Sequence, residues 1–291
     1  MLFKRLFSTN RLTVIGSGQM GAGIAFVSLL NGKLPTTIYD VNEKSVTKAS
    51  DLIKKLLDKQ VSKEKIDAKT AEDTLSRLSF STAFDSAVKS ADLVIEAVPE
   101  IPDLKLQLFG DLAKTAEKST ILASNTSSIS LTKIAAAARG AESRVIGLHF
   151  FNPVPVLKGA EVIRALQTSD EVHSAAVNFM TKVGKVPSSS LDAPGFLANR
   201  ILVPMINEAV LLFENGVGSA ADIDSIMKNG CGMPMGPLAL ADLIGIDTVL
   251  AIMEVLLKET GDSKFRPANS LRNYASAGYL GKKSGRGFYE Y

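Results

Sequence analysis

The 291-residue sequence has no tryptophan, one cysteine and two histidines. A single thiol, Cys231, excludes an intrachain disulfide, which fits a reducing compartment. It also excludes a cysteine-built metal cluster, and with His149 and His173 well separated along the chain, no metal site is expected. Charge of one sign is lacking too: 33 Lys and Arg against 30 Asp and Glu leave a net charge of +3. No basic residues cluster into a face, so a nucleic-acid partner is not expected. No apolar run has the length of a membrane span. The nearest approach, "LIGIDTVLAIMEVLL", is broken by Asp247 and Glu254 and reads as a buried helix. Acidic residues are absent before Asp40. The opening "MLFKRLFSTNR" instead carries Lys4, Arg5 and Arg11, the hydroxyls of Ser8 and Thr9, and large apolar residues. Residues 1–10 are therefore expected to be a short mitochondrial presequence directing the chain to the matrix, with Arg5-Leu6-Phe7-Ser8 resembling a matrix-protease cleavage pattern.

What remains is ordinary in bulk. With 46% hydrophobic and 22% charged residues, the chain can bury a substantial core, and its length suits two domains.

The first of these is announced by "LTVIG", a short buried strand, followed by Gly16-Ser17-Gly18-Gln19-Met20-Gly21 and the apolar helix "AGIAFVSLL". In this strand–turn–helix setting Gly16 permits the tight turn. Gly18 admits backbone to a pyrophosphate, and Gly21 lets the helix pack closely on the sheet. The helix N-terminus then offers unpaired N–H groups and a favourable dipole to phosphate. The next strand, "TTIYD", ends in Asp40, about 20 residues beyond the last glycine, where a carboxylate takes ribose hydroxyls. A 2′-phosphate would be repelled there, and no arginine follows closely to hold one, so NAD is expected rather than NADP. Gly16, Gly18, Gln19, Met20, Gly21 and Asp40 are the cofactor-binding residues read from this segment.

Beyond Asp40 the pattern alternates. Helical stretches over 43–59 and 63–77 precede the strand "LSFST". Then come "DLVIEAV" (strand), "LKLQLFGDLAKTA" (helix), "TILASN" (strand), "LTKIAAAA" (helix) and "RVIGLHF" (strand). Short strands "AEVIRAL" and "KVPSSS" flank a helix over 170–183. Such alternation predicts an α/β domain of Rossmann type, a parallel sheet with helices on both faces, over residues 11–194. After "LDAPGFLANR" only helical periodicity remains, over 196–214, 220–228, 238–258 and 270–277, with glycines as helix stops. Residues 195–291 are thus expected to form an all-helical domain.

One of the two histidines, His149, ends an apolar run and opens "HFFNPVPVLKGAEVI", in which Glu161 sits inside the next apolar run. A packed histidine satisfied by a carbonyl is one reading. The other is a general base: oxidation of a secondary alcohol needs a proton acceptor while hydride leaves carbon, and neutral imidazole oriented by a carboxylate supplies it. His173, among polar helix residues, reads as a surface group.

From about Arg11 to Tyr291 the chain closely resembles the L-3-hydroxyacyl-CoA dehydrogenases of fatty-acid β-oxidation, in the monofunctional, 3-hydroxybutyryl-CoA dehydrogenase-like type. The matching stretches include "VIGSGQMGAGIA", "DLVIEAVPE", "ILASNTSS", "GLHFFNPVPVLKGAEVI", "DAPGFLANRILVPMINEA", "GCGMPMGPLALADLIGIDT" and "GKKSGRGFYEY". The resemblance implies NAD-dependent oxidation of (S)-3-hydroxyacyl-CoA to 3-oxoacyl-CoA, with His149 as base and Glu161 orienting it. It implies that Ser127 and Asn199 contact the substrate and hold the reacting carbonyl. It places Glu100, Lys105, Ser127 and Asn152 near the nicotinamide half of the cofactor. For CoA the family uses serine and lysine after the second strand, where Lys63 is the residue named here and the local match is poor. It further implies that the helical domain completes the substrate cleft and pairs two chains as a C2 homodimer. The apolar runs "ILVPMINEAVLLF" and "VLAIMEVLL" agree with such a contact. No stretch is left over for a fused enoyl-CoA hydratase.

Two other readings keep the scaffold. A related dehydrogenase acting on a free hydroxy or sugar acid such as gulonate would retain His149 and Glu161 without a CoA site. A non-catalytic, crystallin-type dinucleotide-binding protein would need none of His149, Glu161, Ser127 and Asn199 together.

Overall fold

The computed structural model describes residues 9–291, so residues 1–8 of the expected presequence lie outside the described residues. Contacts divide the chain into two compact units, meeting in sequence at Asp192 and Ala193.

The first unit is built on one eight-stranded sheet. Its strands are β1 (Leu12–Ile15), β2 (Thr36–Tyr39), β3 (Leu78–Ser81), β4 (Leu93–Glu96), β5 (Ile121–Ser124), β6 (Val145–Phe150), β7 (Gly159–Arg164) and β8 (Val186–Leu191), in the order 3-2-1-4-5-6-7-8. β1, β4, β5 and β6 are buried along their whole length. This is why they read as continuous apolar runs rather than alternating ones: helices cover both faces. The helices are α1 (Gln19–Leu30), α2 (Glu43–Ser62), α3 (Ala68–Leu75), α4 (Phe84–Lys89), α5 (Pro102–Thr115), α6 (Leu131–Ala137) and α7 (Asp170–Lys182). β1 lies between β2 and β4, so the chain leaves it in opposite directions on its two sides. The carboxyl ends of β1 and β4 therefore frame a crevice, the place where open α/β sheets take ligands.

One pair departs from the expected parallel sheet. β6 and β7 run antiparallel, with His149 opposite Glu161 and Leu148 opposite Val162. The connection between them, "FNPVPVLK", holds no helix and is too short for a parallel crossover, so the chain must return along its own edge. α7 is long enough to cross, and β8 pairs with β7 in parallel again.

Other differences are local. The helix expected over 63–77 narrows to α3, whose N-terminus is set by the Asp67 side chain accepting from the Thr70 N–H at 2.7 Å. α4, a single short turn-and-a-half "FDSAVK", carries too little periodicity to be read from sequence.

The second unit is helical throughout its regular structure: α8 (Ala198–Glu214), α9 (Ala220–Asn229), α10 (Pro237–Ile244), α11 (Ile246–Thr260) and α12 (Asn269–Ser276). The helix expected over 238–258 is two, because Gly245 takes φ +106°, a conformation no helix contains. The core comprises Val203, Ile206, Leu238, Val249, Met253 and Leu271 among others.

Two buried carboxylates fasten the C-terminal segment to this core. Asp242, 1% exposed, accepts from the Phe288 N–H at 2.9 Å, the Tyr289 N–H at 2.9 Å and the Tyr291 hydroxyl at 3.1 Å. Asp224 accepts from the Leu238 and Ala239 N–H groups, capping α10, and from the Tyr289 hydroxyl at 2.7 Å. Burial, then Asp242, pushes the Tyr291 hydroxyl up to about 12. Two glycines of "GKKSGRGFYEY", Gly281 and Gly287, are explained by this approach: a Cβ on Gly287 would stand 2.0 Å from an Asp242 carboxylate oxygen. Asp242→Ala removes three charge-assisted bonds and strands buried donors, so urea unfolding of the variant should show a loss of about 3 kcal/mol or more. A loss under about 1 kcal/mol would mean that the segment is held by its apolar contacts instead.

Candidate active site

The glycine turn joins β1 to α1. Gly16 has φ +100°, and a Cβ there would meet the Ala97 carbonyl oxygen at 2.6 Å. A Cβ on Gly21 would lie 1.9 Å from the Gly16 carbonyl oxygen, so only glycine lets α1 start against the turn. Gly18 differs: nothing lies within 4 Å of where its Cβ would be, and the space over the turn is open. α1 starts there with no side-chain cap and no acid in its first turn, which leaves its N–H groups for an anion. A cavity of about 1200 Å³ extends from this turn past Asp40 at the end of β2 to Val98 after β4, with Gly16, Gly18, Gln19 and Met20 in its lining. An extended dinucleotide fits such a site: backbone donors for phosphate in the middle, apolar walls on either side, and a carboxylate at one end.

That carboxylate is held in place. Asp40 Oδ2 accepts from the Ser17 N–H at 2.9 Å and the Ser17 hydroxyl at 2.6 Å, and Oδ1 accepts from the Asn42 N–H at 3.0 Å. Partial burial alone would raise its pKa, but these donors outweigh burial and hold it below the ordinary carboxylate value. Asp40 is therefore charged at neutral pH.

A second cluster forms where β4 and β5 end. Lys105 of α5 is 1% exposed, and its Nζ lies 2.7 Å from Glu96 Oε1 and 3.0 Å from Glu100 Oε2. Glu96, fully buried, also accepts from the Val98 N–H and from the Ser124 hydroxyl at 2.6 Å. Glu100 Oε1 in turn gathers the loop after β5, accepting from the Ser127 N–H at 2.8 Å, the Ser128 N–H at 3.0 Å and the Thr126 hydroxyl. Burial works against ionisation of Glu100, but the Lys105 charge and these donors hold its carboxyl below the usual glutamate value. Glu100, Lys105 and Ser127 are thus brought together by one ionic network.

The third element is the histidine. His149 Nδ1 lies 2.7 Å from Glu161 Oε2, and the two residues are 5% and 3% exposed. They face each other because β6 and β7 pair them directly. An ionised carboxylate only accepts, so the contact requires the hydrogen on Nδ1 and leaves Nε2 as the basic nitrogen. The Phe151 ring packs on the imidazole at 4.7 Å between centroids. Asn125, at the end of β5, accepts from the Phe150 N–H at 2.9 Å and so ties the Ser127 loop to the histidine strand. Asn152 accepts from Gln19 Nε2 at 3.2 Å, linking the loop after His149 to the glycine turn.

In the helical unit, Asn199 is buried in the first turn of α8. Within the first unit, two residues fall outside these clusters. Lys63 is exposed at the C-terminal end of α2. His173 is half-buried rather than fully on the surface, with Nε2 2.9 Å from the Ser189 hydroxyl. Among the described residues no group of three His, Cys, Asp or Glu is arranged to hold a metal ion.

Comparison with known proteins agrees with this geometry. The family model for the 3-hydroxyacyl-CoA dehydrogenase NAD-binding domain matches residues 11–192, and the model for the C-terminal domain of the same family matches 195–291. The chain belongs to the 3-hydroxyacyl-CoA dehydrogenase family. It is accordingly an NAD-dependent oxidoreductase, with the first unit as its NAD-binding domain. It is 46% identical to a probable 3-hydroxybutyryl-CoA dehydrogenase of Bacillus subtilis, over 97% of each chain. It is 44% identical to the mitochondrial hydroxyacyl-coenzyme A dehydrogenase of Mus musculus, over 96% of this chain and 90% of that one. The crystal structure of (S)-3-hydroxybutyryl-CoA dehydrogenase from Ralstonia eutropha superposes with a TM-score of 0.94 at 44% identity, covering 98% of this chain and 99% of that one.

Within this dehydrogenase, Glu96 and Asn125 are the site residues that sequence reasoning passed over. Their signal was present: each is a polar residue closing an apolar strand, "LVIE" and "ILASN", at the carboxyl edge of the sheet. Asp40 supports a direct check on cofactor choice. The unmodified enzyme should bind NAD at least about a hundredfold more tightly than NADP, and Asp40→Ala should erode that ratio mainly by weakening NAD about tenfold, as read by equilibrium titration. Equal affinities in the unmodified enzyme would contradict the role given to Asp40.

Proposed function

We propose that the enzyme oxidises the 3-hydroxyl of (S)-3-hydroxyacyl-CoA thioesters to the 3-oxo product in fatty-acid β-oxidation, with His149 as general base. The observation that carries this reading is the buried 2.7 Å contact between His149 Nδ1 and Glu161 at the carboxyl end of a strand in the NAD-binding unit. NAD, when bound, supplies the hydride acceptor. His149 takes the hydroxyl proton on Nε2 as hydride leaves the same carbon, and Glu161 stabilises the imidazolium that results. Glu161 also prevents the ring from turning, so that the base is presented in one tautomer. Ser127 and Asn199 contact the thioester substrate and polarise the oxygen being converted to a carbonyl. The carboxylate of Glu100 fixes the Ser127 loop, and Asn152 with Gln19 borders the cofactor. Lys63 is assigned to the CoA phosphates, as a cation on the exposed end of α2.

The relatives' names support the substrate class, since those in Bacillus subtilis and Ralstonia eutropha are named for 3-hydroxybutyryl-CoA. A purely structural role needs no buried histidine–carboxylate pair. The same reading places the enzyme in the mitochondrial matrix, supported by the composition of "MLFKRLFSTNR" and by the mitochondrial relative in Mus musculus. It also makes the enzyme a C2 homodimer through the helical unit. Ile201, Val217 and Ile226 of that unit are 72%, 70% and 62% exposed, more apolar surface than a solvated helix face needs.

NADH formation at fixed NAD should be seen with 3-hydroxybutyryl-CoA and longer 3-hydroxyacyl-CoAs and not with free L-gulonate; activity on gulonate alone would move the enzyme to the sugar-acid class. His149→Gln should retain NAD binding and lose at least about a hundredfold in turnover. Glu161→Gln should also lower turnover and displace the pH profile, because the imidazolium loses its partner. Near-normal turnover in the His149 variant would remove it from the mechanism. Light scattering at micromolar concentration should give about twice the mass of one chain, and a fully active monomer would refute the assembly.

A further inference from the structure

Lys185 sits between α7 and β8, 7% exposed, and neither the nucleotide turn nor the histidine pair includes it. Its Nζ donates to the carbonyl oxygen of Leu157 at 2.6 Å and to that of Val154. Both acceptors belong to the segment between β6 and β7, which leaves the sheet just after His149 and returns just before Glu161. Burial pushes the Lys185 ammonium down, and among the described residues no carboxylate offsets this. A buried cation without an anionic partner is costly, and an apolar residue of equal length would fill the same space at lower cost. What the ammonium adds is therefore its donors.

The segment has few other means of holding its shape. Pro153 and Pro155 have no N–H to give, and the N–H groups of Val156 and Leu157 both turn inward to the Pro153 carbonyl. On one side the segment lies directly on α1: a Cβ on Gly23 would stand 2.9 Å from the Val154 Cβ. On the other side is Lys185. Asn152, at the start of the segment, meets Gln19 of the nucleotide turn, and Phe150, just before it, is fixed to Asn125.

We propose that Lys185 is a positioning residue for this enzyme: by clamping the Val154 and Leu157 carbonyls it holds the 151–158 segment against α1, and so sets Asn152 at the nucleotide turn and the end of the His149 strand. The proposal rests on the function given above only for its effect on turnover. Its effects on the segment and on NAD binding stand independently.

Lys185→Met keeps the length of the side chain and removes its donors. Amide hydrogen exchange at Val156 and Leu157 should accelerate at least about tenfold while the amides of β1 and β4 stay protected. The Kd for NAD should rise about tenfold and kcat should fall by a similar factor, with KM for the acyl-CoA little changed. Lys185→Arg, which keeps charge and donors, should recover most of both, and Lys185→Gln, with one amide donor group, should fall between Arg and Met. Should the Met variant not fold, the Gln and Arg variants carry the same comparison: segment exchange and NAD affinity must move together. A folded variant that loses thermal stability yet keeps segment exchange, Kd and kcat within about twofold of the unmodified enzyme would reduce Lys185 to a packing residue and overturn the proposal. If the unmodified enzyme oxidises no 3-hydroxyacyl-CoA, the functional reading fails, and exchange and NAD binding still decide the role of Lys185.

Discussion

Two short strands, β6 and β7, lie antiparallel in an otherwise parallel sheet, and that pairing places an imidazole across from a carboxylate. In an antiparallel pair the side chains of directly opposed residues share one face, and a slip of one residue would send either His149 or Glu161 to the other. The 2.7 Å contact is therefore a consequence of register. Register is in turn imposed by the apolar neighbours Leu148 and Val162, opposed and fully buried, and by Gly147, where a Cβ would press on Ile163 at 2.9 Å. Everything proposed for His149 as a base, from tautomer to stabilised imidazolium, depends on that packing.

The rest of the first unit supports the same corner of the sheet. The buried ion network of Glu96, Lys105 and Glu100 holds the Ser127 loop, while Asn125 and Asn152 connect that loop and the glycine turn to the strand of His149. Buried ionic groups of this kind add little net stability, since desolvation consumes most of the Coulombic gain. Their value lies in permitting one arrangement of loops that carry no regular secondary structure. The helical unit uses buried charge differently. Asp224 and Asp242 collect N–H groups and tyrosine hydroxyls to fix a C-terminal segment that has no α-helix of its own.

Much of this is legible in the sequence alone. The strand–glycine–helix signature, Asp40, the alternating α/β pattern and the change to helices alone after "LDAPGFLANR" follow from periodicity and turn chemistry. His149 and Glu161 stood out as a scarce residue and a carboxylate inside an apolar run. What sequence could not carry was relation across the chain. The reversal of direction at β7 is a matter of connection length, which the reading of "AEVIRAL" as one more strand did not weigh. The break at Gly245 was hidden because apolar spacing continues across it, and φ is not visible in a hydrophobic pattern. Lys185 carries no sequence signal: a charged residue in a polar stretch is indistinguishable from a solvated one until its burial and its partners are known.

The account turns on which nitrogen of His149 carries the proton, and the scarcity of histidine makes that accessible. With only His149 and His173 in the chain, nitrogen-15 imidazole spectra hold two residues, and a His173→Gln variant assigns them. For the neutral ring the account predicts a hydrogen on Nδ1 of His149, strongly bonded to Glu161, with Nε2 unprotonated. A neutral ring protonated on Nε2 instead would contradict it, because the carboxylate would then face a lone pair and the base would point away from its work.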